Sequence, residues 1–114
     1  MKLSKVTGSF MALGVLFFLR GVSFAEEEVY KIAIKNHQFL PQELVIPAGK
    51  KVRILIENED PSAEEFESYE LNREKVVGGH GKATLFIGPL KTGSYKYFGD
   101  FHKDTAEGVI KAVE

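Results

Sequence analysis

The chain has 114 residues, no cysteine, three histidines, and 15 basic against 16 acidic side chains, for a formal charge of −1. This length leaves room for one small domain beside any targeting segment. The lack of cysteine excludes disulfides and thiolate metal ligation, and the balanced charge without a basic stripe excludes an electrostatic nucleic-acid surface.

Residues 1–25 read as a secretory signal peptide. Lys2 and Lys5 give a positive start, Val6 to Leu19 is largely apolar, and Ser23-Phe24-Ala25 supplies small residues for cleavage after Ala25. The apolar run is short for a spanning helix, which needs about 20 residues. Three of the 15 basic residues (Lys2, Lys5 and Arg20) lie in this segment, so 12 remain against 16 acidic ones and the formal charge moves from −1 to −4. The expected mature domain is 26–114. A secreted domain without cysteine must hold by packing alone, which suits a bacterial periplasm.

The remainder carries strand signals and no good helix signal. Val29 to Asn36 alternates, with Tyr30, Ile32 and Ile34 on one face. Leu44 to Pro47 is a short strand before the turn Pro47-Ala48-Gly49-Lys50. Lys51 to Asn58 alternates again, with Val52, Ile54 and Ile56 inward and Leu55 breaking the pattern. Glu65 to Tyr69 is a fourth candidate, and Leu71 to Val77 reads as an edge strand or a helical turn. Lys82 to Ile87, Ser94 to Phe98 and Val109 to Val113 complete the set. Seven or eight short strands imply an all-β, antiparallel Greek-key β-sandwich or barrel.

Strand direction then places the loops. Strands of five to seven residues are about 17–24 Å long, and short turns cannot run back along that length. If Val29 to Asn36 rises to an upper end, His37 lies there. If Leu71 to Val77 crosses as a strand, the acidic loop Glu59 to Glu64, the loop Gly78 to Gly81 with His80, and the loop Gly99 to Glu107 with His102 all share that end.

Two features carry chemistry. Seven carboxylates lie between Glu57 and Glu70 with no basic residue among them, so they repel, raise one another's pKa and call for a cation or solvent. Glu57, Glu59 and Glu70 read as a solvated face. Within Glu64-Glu65-Phe66-Glu67-Ser68, alternation puts Glu65 and Glu67 on one face and Glu64 with Phe66 on the other. An inward Phe66 brings Glu64 to the mouth of the core, where a lone carboxylate is costly unless paired or coordinated. Two histidines with one carboxylate suit non-haem iron(II), and nitrogen and oxygen donors also suit copper(II). The candidate metal ligands are His37, Glu64, Glu65, Glu67 and His102. Gly78-Gly79-His80-Gly81 lacks the lysine-serine pair of a phosphate loop, and no serine has a nucleophile-elbow context.

The motifs Asn36-His37-Gln38-Phe39-Leu40-Pro41, Pro47-Ala48-Gly49-Lys50, Asn58-Glu59-Asp60, Glu64-Glu65-Phe66-Glu67-Ser68 and Tyr97-Phe98-Gly99-Asp100-Phe101-His102 together resemble the cupredoxin-like domains of bacterial periplasmic iron-uptake systems, of the EfeO type. The resemblance covers about Val29 to Glu114. It implies a cupredoxin-like sandwich and a partnership with a membrane iron permease. It also marks departures from electron-carrying cupredoxins: Glu64 stands at a histidine-ligand position, Gly99 at the cysteine, and Thr105, Ala106 and Glu107 near the axial methionine. His102 alone matches, so a type 1 copper site is excluded. The expected function is periplasmic binding, or oxidation, of ferrous iron for hand-over to the permease. A copper(II)-binding periplasmic protein and a non-metal adaptor on the same scaffold remain the alternatives.

Overall fold

A computed structural model describes residues 28–114; the expected signal peptide, 1–25, lies outside them. Alternating apolar side chains bury one face of each strand, and nine strands result: β1 (Val29–Lys35), β2 (Gln38–Leu40), β3 (Glu43–Pro47), β4 (Val52–Asn58), β5 (Glu64–Ser68), β6 (Arg73–Val77), β7 (Lys82–Ile87), β8 (Gly93–Gly99) and β9 (Glu107–Val113). The strand beyond the expected seven or eight is three-residue β2, which folds back on β1 across a two-residue turn.

The strands form two sheets, in the orders β2-β1-β4-β7 and β3-β9-β8-β5-β6. Pairing is not wholly antiparallel as expected, because β1 runs parallel to β4 and β3 parallel to β9. After β2 the chain leaves the first sheet and enters the second beside its last strand. Loop length dictates a strand's direction but not its neighbour, so alternation could not show this. The directions themselves hold. β6 crosses as an edge strand with only Val77 buried, and Leu71 tucks in before it.

Between the sheets lies one apolar layer, in which Ile32, Ile34, Phe39, Ile46, Val52, Ile54, Ile56, Phe66, Ile87, Tyr97 and Ile110 are almost fully enclosed. Leu55 is half-buried on the outer side of β4. At the lower end the Gly49 amide donates to Leu90 O at 2.8 Å, tying the β3–β4 turn to the β7–β8 turn. At the upper end the β1–β2 turn, the loop after β4, the loop after β6 and the loop after β8 come together.

Candidate metal centre

Glu64 opens β5 on the inward side, in line with Phe66 and Ser68, so its carboxylate enters the top of the core at 1% exposure. Burial of a carboxylate is tolerable only with full hydrogen bonding, and the chain supplies it. Oε1 accepts the amides of Glu65 and Phe101, both at 2.9 Å, and Oε2 lies 2.7 Å from His102 Nδ1. Gly99 makes the space, because a Cβ there would stand 2.6 Å from both Cδ and Oε2 of Glu64. The carboxylate therefore fills the volume that any side chain at position 99 would need.

His102 sits on a tight turn. Its amide donates to Gly99 O at 3.1 Å, and its carbonyl accepts from the Ala106 amide at 2.9 Å. Its imidazole is 24% exposed. His37 covers it as a parallel ring, with centroids 3.6 Å apart and planes inclined by 13°. His37 and Asn36 are the two central residues of the β1–β2 turn, at φ 59° and 54°. That left-handed region costs a residue with a Cβ about 1–2 kcal/mol. Asp60 offsets it: its carboxylate accepts the Asn36 amide at 2.8 Å and the His37 amide at 2.9 Å. Burial raises the Asp60 pKa, but those two amides, with His37 and His102 nearby, outweigh it and hold the carboxyl below its ordinary range.

The five expected ligands fall into two groups. His37, Glu64 and His102 meet at the upper end. Glu65 and Glu67 point out of the opposite face of β5, where Asp100 brings a third carboxylate; one oxygen of each lies within 4.8 Å of the others. One ion cannot span both groups. Partial burial raises the Glu65 and Glu67 pKa values first, and the neighbouring carboxylates raise them further: Glu67, Glu74 and Asp100 act on Glu65, Glu74 and Asp100 on Glu67. His80 reaches the same end as His37, yet its ring is exposed and its amide is spent on Asp60 O.

The rest of the acidic run is dispersed across the sheets. Glu57 pairs with Lys31 at 3.2 Å and Lys82 at 3.7 Å, Glu59 lies 4.0 Å from Lys35, and Glu70 accepts the Lys96 amide at 2.6 Å. Sequence reasoning gave no role to Asp60 or Asp100. Asp60 shows its role only through turn amides 23 and 24 residues away. The signal available for Asp100 was its closeness to His102 in the same loop.

The two-sheet sandwich is of the cupredoxin type, and the chain belongs to that family: the cupredoxin-like domain model matches residues 9–112. An uncharacterized protein of Rickettsia prowazekii (strain Madrid E) is 49% identical over 80 residues, covering 70% of this chain. The chain spans 64% of that relative's length. Among solved structures, auracyanin A, a "blue" copper protein of Chloroflexus aurantiacus, superposes with a TM-score of 0.63 at 14% identity, over 75% of this chain and 98% of its own. A purple cupredoxin of Nitrosopumilus maritimus gives 0.59 at 20% identity, over 74% and 99%. These likenesses are ones of fold. With no cysteine in the chain, a type 1 copper site has no thiolate to form it.

Proposed function

We propose that the domain binds a metal ion at its upper end through His37, Glu64 and His102, and that it serves iron uptake by binding or oxidising ferrous iron for transfer to a membrane permease. The observation that carries this reading is the buried Glu64 carboxylate held 2.7 Å from His102 Nδ1, beneath a second imidazole. Metal bonds to imidazole and carboxylate are about 2.0–2.2 Å long, so neighbouring ligands of one ion stand about 3 Å apart, close to the spacing of this pair. Two histidines and one carboxylate are the donor set of non-haem iron(II) sites. Carboxylate oxygen favours iron(III) over iron(II), which eases loss of an electron to an external acceptor. Glu65 and Glu67, with Asp100, offer oxygen donors on the outer face for an ion in transit. A periplasmic location accords with the signal-like start, and the EfeO-type resemblance with the permease partner.

The same donors hold copper(II) more tightly than other divalent first-row ions, which is the second reading. A third, the non-metal adaptor, draws on one observation: both Glu64 oxygens already have partners.

Anaerobic calorimetric titration of the domain with iron(II), and separately with copper(II), tests all three. The expected result is one tight site lost in His102→Ala. Tight copper(II) binding with no iron(II) binding selects the second reading, and no binding of either selects the third.

A further inference from the structure

We propose that Asp60 is the positioning residue that holds the His37 imidazole against His102 and so fixes the spacing of two of the three donors. This rests on the metal-site reading above.

His37 occupies an unusual place. The turn between paired Lys35 and Gln38 has two central residues, both at positive φ. Such hairpin turns favour Asn-Gly, because glycine takes the second position without steric penalty. Here the second position carries a histidine, and its imidazole is the ring that stacks on His102. A strained residue persists only where its surroundings over-determine it. Asp60 is the surrounding group that does so, by accepting both turn amides. Hydrogen bonds to an ionised carboxylate are about twice as strong as neutral ones.

Asp60 is itself fixed. It is 7% exposed, its amide donates to Asn58 Oδ1 at 3.0 Å, and its carbonyl accepts the His80 amide at 2.8 Å. Asn58 in turn donates to Ser62 O and Val77 O, at 2.9 and 3.1 Å. The His37 turn is thereby tied to the loops after β4 and β6. A second restraint comes from the fourth loop, where Thr105 Oγ1 donates to His37 O at 2.6 Å. Both Asp60 oxygens are engaged by the turn amides, so Asp60 acts on the site through the turn backbone.

The test has a metal-free arm and a metal arm. In the metal-free protein, the stacked His37 and His102 rings are expected to give their ring protons upfield NMR shifts. Asp60→Asn, which sets an NH2 group against one turn amide, is expected to remove those shifts while the sheet amides keep theirs. Retained ring shifts overturn the proposal. In the metal arm, copper(II) and iron(II) affinities are expected to fall about 10- to 100-fold in Asp60→Asn, as for other groups that orient a ligand. In a His37→Gly background, Asp60→Asn is expected to cause no further loss; an equal loss in both backgrounds means a general structural role and overturns the proposal. If Asp60→Asn fails to fold, His37→Gly relieves the turn and is expected to restore folding, and failure in both backgrounds also overturns it. If the parent binds neither ion, the metal-site reading fails, and the ring shifts alone decide what Asp60 does.

Discussion

Glu64 and His102 behave differently as a pair than either residue suggests alone. A loop histidine beyond the last core residue reads as removable at little cost, since surface changes stay within about 0.5 kcal/mol. The structure joins it to a carboxylate at 1% exposure. His102→Ala strands that oxygen, so it is expected to destabilise the metal-free domain by about 1–3 kcal/mol, read as a shifted denaturant midpoint. Glu64→Gln is expected to destabilise as well, although carboxylate repulsion in the sequence argues the reverse. A glutamine keeps an oxygen for the two amides but loses the charge that strengthens all three hydrogen bonds.

Tyr97 makes a second case at this scale. Its ring packs on Phe66 and Phe39 at 4.7 and 5.0 Å, while its hydroxyl is buried without a partner among the described residues. Gly108 leaves the space, since a Cβ there would lie 2.6 Å from the hydroxyl. Burial pushes the phenol well above its ordinary value of 10.0. Below that value both states keep the proton and stability does not depend on it. Above it the unfolded chain ionises while the folded chain does not, so stability falls as pH rises. Tyr97→Phe is therefore expected to be neutral or stabilising at pH 7 by about 1 kcal/mol and to flatten the alkaline loss. Thermal melts between neutral and alkaline pH measure both effects.

β5 is the element in which the two chemistries diverge. Its inward side brings Glu64 to the imidazoles, and its outward side sets Glu65 and Glu67 beside Asp100. Glu67 also stands directly opposite Glu74 on β6, and like charges in that position destabilise a strand pair. Glu67→Gln is expected to raise the melting temperature of the metal-free domain. An unchanged or lower melting temperature would mean that solvent already screens this face. The alternation of β5 was legible in Glu64-Glu65-Phe66-Glu67-Ser68 because a buried Phe66 leaves the pleat one choice. The partner strands were not, since nothing local in β5 says that β8 will lie on one side and β6 on the other.

In the whole molecule, short loops between strands of known direction put His37, His80 and His102 at one end. The four upper loops are then bound by side-chain to backbone bonds: Asn58 and Asp60 join three of them, and Thr105 adds the fourth. Four of the five candidate ligands therefore depend on which loops touch: His37 and His102 on the upper cluster, Glu65 and Glu67 on the approach of the β8–β9 loop.

By itself the sequence determined the longer strands other than β6, the inward faces of those that alternate and the absence of thiolate ligation; the strand directions rested on β6 crossing, and three-residue β2 was not legible. What it determined follows from period-two alternation, turn residues and composition, which are local. Only the tertiary structure decided that β1 and β3 take parallel neighbours, that Glu64 lies in the space left by Gly99, and that Asp60 clamps the His37 turn. Those facts belong to contacts between residues 23 to 66 positions apart. Spacing along the chain does not encode such contacts, and they are set when the two sheets close on a shared core.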